Sequence, residues 1–69
     1  MRILINKLRE LRFMNGEMTQ QELASKVEVT RQTIISIEKS KFNPSVKLAL
    51  AIAEVFELPV EDIFILQEK

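Results

Sequence analysis

The chain has 69 residues, 46% of them hydrophobic, and its ten basic and ten acidic side chains cancel. That length allows one domain, residues 1 to 69, near the lower limit for a self-sufficient hydrophobic core. There is no cysteine and no histidine, so a disulfide framework, the commonest metal ligands and the commonest general base are all missing.

Residues 2 to 5, RILI, are branched and apolar and could form a short strand. Ile5, Leu8 and Leu11 then recur every third residue while Lys7, Arg9, Glu10 and Arg12 point away, which predicts an amphipathic first helix. Asn15 and Gly16 stop it near Met14, and Gly16, the only glycine, suits a left-handed C-terminal cap. Thr19 opens a second helix with a T-x-x-E capping box to Glu22, and Met18 can pack back on it as a staple. Thr30 caps a third helix running to about Lys39. Residues 39 to 44, KSKFNP, form a polar loop with Phe42 as its one apolar anchor. From about Ser45 a fourth helix carries an apolar surface too wide for a one-sided helix and is expected to be the centre of the bundle. Pro59 suits the first position of a short fifth helix ending near Ile63, with Glu61 and Asp62 favourably placed in its first turn. The branched tail, Ile63 to Gln67, could pair with residues 2 to 5 as a two-stranded antiparallel sheet, which is marginal unless it packs on something. The expected fold is therefore all-α, a compact five-helix domain with a small terminal sheet as a possible addition.

Within residues 19 to 39, Leu23, Val27, Val29, Ile34 and Ile37 are apolar, Ala24 is small where two helices must touch, and most of the rest is polar. Two short helices so patterned make a helix-turn-helix, whose second helix is held out to enter a DNA groove. Projected at about 100 degrees per residue, Ile34 and Ile37 face one way and Arg31, Gln32, Ile35 and Ser36 the other. Arg and Gln carry the paired donors and acceptors that match guanine and adenine edges in the major groove. Ile35 is open to three uses: extra core, contact with a partner, or contact with a thymine methyl group. Ser36 is small enough for close approach, and Thr30 and Thr33 can cap the helix and still touch DNA. Phosphate contacts set register without reading sequence. Candidates are Gln20 at the start of the second helix and Lys39, Ser40, Lys41 and Asn43 in the following loop, which is otherwise an ordinary solvated loop. Charge is uneven in the same region: residues 26 to 47 hold five basic side chains against two acidic ones.

In these segments the chain resembles the Cro and C1 repressor type of helix-turn-helix, the Xre family, in its short single-domain form. The shared pattern is TQxELA at Thr19 to Ala24, VTRQTI at Val29 to Ile34, IE at Ile37 and Glu38, KFNPS at Lys41 to Ser45, and LPVEDIF at Leu58 to Phe64. The resemblance implies a lambda-repressor-like fold, DNA contact at Gln20, Arg31, Gln32 and Ser36, and backbone contact around Lys41. It also implies an ion pair between Arg12 and Glu38. Three departures stand out: Glu28 and Lys39-Ser40 replace the glycine and the Asn-Gly usual at those turns, and the loop at residues 15 to 17 is one residue longer.

The leading expectation is a sequence-specific regulator of transcription, a repressor, that binds a palindromic stretch of double-stranded DNA as a homodimer. Ile63, Phe64, Ile65 and Leu66 are candidates for the dimer contact, with closure of the monomer core as their other use. The competing expectation is a protein-interaction or antitoxin-like module that keeps the fold and acts on a partner protein, and the neutral net charge is its support. An enzyme is not expected, since there is no glycine-rich phosphate loop or plausible carboxylate pair. No cofactor, metal or small-molecule ligand is expected. No apolar run approaches the roughly 20 residues of a membrane span, and no secretory signal core opens the chain, so a cytoplasmic setting fits.

Overall fold

The computed structural model describes residues 1 to 68. In chain order it contains strand β1 (Arg2–Asn6), helices α1 (Leu8–Met14), α2 (Gln20–Lys26), α3 (Arg31–Glu38) and α4 (Val46–Phe56), a single 3-10 turn (Val60–Asp62) and strand β2 (Phe64–Glu68). Leu8, Leu23, Ile34, Ile37 and Ile52 are fully buried, so each α-helix sends at least one large side chain into one core, where Ile63, between the 3-10 turn and β2, joins them and the partly buried Leu4 and Val60 pack against it.

Helix starts follow local chemistry. The Thr19 hydroxyl accepts from the Glu22 amide at 3.0 Å while the Glu22 carboxylate accepts from the Thr19 amide at 2.8 Å, the reciprocal box expected from sequence. The hydrogen bond from the Thr19 amide, with the Thr19 side chain as the next cause, holds the Glu22 carboxyl below the ordinary carboxylate range. A lowered folded-state pKa contributes stability at neutral pH and loses it as pH falls through the folded value, so the box weakens in acid. Thr30 and Ser45 cap α3 and α4 through their hydroxyls alone, without the reciprocal carboxylate bond.

Helix ends are less comfortable. The Glu28 amide donates to the Ser25 carbonyl and the Val29 amide to the Ala24 carbonyl, which is the Schellman arrangement. It places Glu28 at φ 60, a left-handed backbone that glycine adopts freely and other residues at a cost of about 1–2 kcal/mol. Ser40 after α3, at φ 59, and Glu57 after α4, at φ 55, repeat the motif without glycine. Glu28 therefore tolerates the left-handed position in the turn between α2 and α3. After α1, Gly16 and Glu17 are both left-handed, and the pair swings the chain so that the Met18 amide reaches the Arg12 carbonyl at 2.9 Å.

Three sequence expectations need correcting. There are four α-helices, not five: Pro59, at ψ 148, stands outside the turn, and three residues before the buried Ile63 leave room for a 3-10 turn only. Helix α4 is not wrapped by the bundle; Ile52, Ala53 and Phe56 point inward, whereas Val46 and Leu50 are 77% and 58% exposed. Phe42 anchors its loop only partly, remaining about half exposed.

The terminal segments do pair, antiparallel, with Leu4 opposite Leu66 and Ile5 opposite Ile65. Leu4 and Phe64 face the core, which supplies the packing an isolated strand pair lacks. Ile63 and Phe64, two of the four dimer candidates, are buried within the single chain, so closure of the monomer core is their use. Ile65 is half-buried and Leu66 exposed, and these two retain surface for a partner.

Replacing Glu28 by glycine should relieve the left-handed strain, partly offset by the greater freedom of glycine in the unfolded chain. A net gain of about 0.5–1 kcal/mol would raise the thermal midpoint by a few degrees. A calorimetric midpoint below that of the parent chain would show that Glu28 is not strained.

Candidate nucleic-acid interface

What places α3 is a hub of hydrogen bonds at its C-terminal end. The Arg12 guanidinium donates from Nε to Glu38 Oε2 at 2.7 Å and from Nη2 to Glu38 Oε1 at 3.0 Å, a two-pronged pairing. Its remaining nitrogen, Nη1, donates to the Met18 carbonyl at 2.9 Å. The Gln20 side-chain amide donates to Glu38 Oε1 at 3.1 Å. One carboxylate thus joins the end of α1, the entry to α2 and the end of α3. The Arg12 and Glu38 side chains are only 12% and 11% exposed.

Asn6, which sequence reasoning passed over, adds a fourth connection. Its Nδ2 donates to the Ile37 carbonyl at 2.8 Å and its Oδ1 accepts from the Leu8 amide at 3.2 Å, so the end of β1 is tied to both α1 and the last turn of α3. An asparagine at a strand-to-helix junction is a signal for a cap, but its partner 31 residues away carries no signal in sequence.

With its inner face held by Ile34 and Ile37, α3 turns Arg31 and Gln32 to solvent in its first turn. Gln32 approaches the Ser36 hydroxyl at 3.4 Å, too long to be a strong bond, so its amide is available for other partners. Thr30 caps the helix from an exposed position, and Thr33, half-buried, meets it hydroxyl to hydroxyl at 3.1 Å. Ile35 is half-buried and outside the core cluster.

Two open grooves flank α3. Arg31, Ile35 and Lys39, spaced four apart, border the first, which faces α1 and the start of α2. Gln32, Thr33 and Ser36 border the second, across from Lys41 and Phe42. The sequence-derived candidates therefore split between two sides of one ridge. Lys39, Ser40, Lys41 and Asn43 are all exposed in the loop, where the Lys41 amide donates to the Ser36 carbonyl at 2.9 Å and fixes the loop against the helix end. Gln20 differs from the rest: its side chain leans inward to Glu38. It can offer a phosphate its second amide hydrogen and its backbone N–H, which has no intrahelical partner.

Comparison with known proteins bears on this geometry. The helix-turn-helix family profile matches residues 7 to 63, from the residue before α1 to the residue after the 3-10 turn. The chain belongs to the helix-turn-helix family of the Cro/C1 type. It is 51% identical over 63 residues to an uncharacterized HTH-type transcriptional regulator of Methanocaldococcus jannaschii, covering 91% of this chain and 94% of that one. A similarly described protein of Archaeoglobus fulgidus is also 51% identical, covering 91% and 89% of the two chains. The Bacillus subtilis regulator YgzD, described in the same words, is 45% identical over 93% of this chain and 96% of its own. Both strands lie outside the profile match, so the sheet is framed by residues beyond the helix-turn-helix unit itself.

Truncating Arg12 to methionine would leave the Glu38 carboxylate nearly buried with Gln20 as its one remaining partner. Loss of one member of a buried pair costs about 3–5 kcal/mol, and the tenth of each side chain still exposed places this case near the lower figure. Replacing both residues, Arg12→Met with Glu38→Leu, should recover most of that loss. Urea unfolding of the three proteins measures it, and an Arg12→Met variant as stable as the parent would show that the pair contributes little.

Proposed function

We propose that the protein is a sequence-specific regulator of transcription that binds double-stranded DNA through α3. The observation that carries this reading is the pose of α3: Arg31 and Gln32 stand free in its first turn, on a helix whose other end is fixed by the Arg12–Glu38 hub. The first turn is where a recognition helix meets base edges, and these two side chains have the hydrogen-bonding geometry for guanine and adenine. Ser36, Thr30 and Thr33 supply shorter polar contacts, and Ile35 an apolar one suited to a thymine methyl. Lys39, Ser40, Lys41, Asn43 and Gln20 grip phosphates. The description of the similar proteins as HTH-type transcriptional regulators points the same way.

The protein acts as a homodimer on a palindromic operator, its two α3 helices about 34 Å apart in successive major grooves. Ile65 shares the outward face of the sheet with Ile3 and Ile5, and with Leu66 it supplies apolar surface for the second copy. Repression is the favoured outcome, because occupying an operator blocks other proteins without requiring a further contact surface. The alternative, a module acting mainly on a protein partner, rests on neutral net charge. That support is weakened by the exposed cations gathered around α3.

Against a duplex selected from a random pool, Arg31→Ala and Gln32→Ala should each cost about 1–3 kcal/mol of discrimination at their own base positions and leave folding unchanged. Lys41→Ala should weaken binding equally on all duplexes. If no duplex is selected and no salt-dependent binding appears, the DNA reading is wrong.

A further inference from the structure

We propose that α1 takes part in the DNA contact, with Arg9 as an additional phosphate-binding residue; this rests on the DNA reading above. From sequence, Arg9 is simply a charge on the solvent side of an amphipathic helix. In the structure its side borders the same open groove as Arg31, Gln20 and Lys39, respectively a proposed base reader and two proposed phosphate contacts.

The electrostatics of that groove favour an anion. Its acidic residues are Glu10 and Glu38, and Glu38 already accepts from Arg12 and Gln20. Setting that pair aside leaves Arg9, Arg31 and Lys39, all exposed, against Glu10 alone. Arg9 is in no ion pair among the described residues. A protein with no net charge thus carries a local excess of two positive charges along one side of its recognition helix.

Geometry assigns the role. With α3 seated in a major groove about 12 Å wide, the sugar-phosphate strands pass along both sides of the helix. Lys41 and its loop stand on one side of α3, and the groove toward α1 lies on the other. A strand following the groove toward α1 meets the start of α2 and then α1. Arg9 is on the second residue of α1, on a helix anchored by the buried Leu8 and by Arg12, so its base does not move when its guanidinium reaches outward. A phosphate contact there adds affinity and fixes orientation, and it carries no base preference.

The test is a fluorescence-anisotropy titration of the full chain, at several salt concentrations, against one selected duplex and one unrelated duplex. Arg9→Gln and Arg9→Ala are compared with the parent, and a thermal melt checks folding. The expected result is a loss of roughly tenfold on both duplexes and a fall of about 0.9 in the logarithmic salt slope, with Arg9→Lys retaining the parent slope. Unchanged affinity and slope in both variants, with the parent still selective, would overturn the role of Arg9 and leave the DNA reading intact. Loss confined to the selected duplex would also overturn it, by making Arg9 a base reader. A parent chain that binds neither duplex would overturn the DNA reading and this inference together.

Discussion

The pairing of Arg12 with Glu38 is the interaction on which the rest of the structure depends. Helix α3 is eight residues long, too short to be stable or well directed by itself, and its pose comes from what holds it. Burial of Ile34 and Ile37 sets the rotation of the helix about its axis, but apolar contact is nondirectional and leaves the tilt loosely defined. Two parallel hydrogen bonds from a planar guanidinium to a carboxylate at the last residue of the helix supply the missing direction. Asn6 and Gln20 reinforce the same end. The N-terminal turn, bearing Arg31 and Gln32, is left projecting from a helix fixed at its far end.

That arrangement separates stability from recognition. The residues that fix α3 face inward or toward α1, and the residues proposed to read DNA take no part in the core. Helix ends bear the cost of making the turns tight: Glu28, Ser40 and Glu57 all adopt left-handed backbones in Schellman caps. Two of these, Glu28 and Ser40, bracket α3, so the strain lies where the chain enters and leaves the recognition helix. A glycine at either place would ease the backbone.

Much of this was legible in the sequence where the determinants are local. Thr19 with Glu22, Thr30 and Ser45 announce helix starts because a cap and its target lie three residues apart. The inward set of α3 followed from helical period alone. Longer-range features were less accessible. The Arg12–Glu38 pair could be anticipated only through family resemblance, and the Asn6–Ile37 bond, across 31 residues, not at all. Pro59 was ambiguous, since proline suits both the first residue of a helix and the residue just before a turn. Phe64 and Leu66 lie on one face of β2, yet one is 8% and the other 59% exposed, because the strand runs past the edge of the core. Alternation in sequence shows which face a residue takes but not where the core stops. The composition of α4 misled for a related reason: Val46 and Leu50 are as apolar as Ile52 and remain outside.

The central claim is that the outward face of α3 meets DNA while the hub behind it stays intact. Backbone amide shifts of the full chain, followed by NMR as duplex DNA is added, test it most directly. Changes concentrated in Thr30 to Ser36, at Gln20 and in Lys39 to Lys41, with Asn6, Arg12 and Ile37 little affected, are the predicted result. Changes centred on Val46 and Leu50 of α4, or on the isoleucine face of the sheet, with α3 silent, would contradict it.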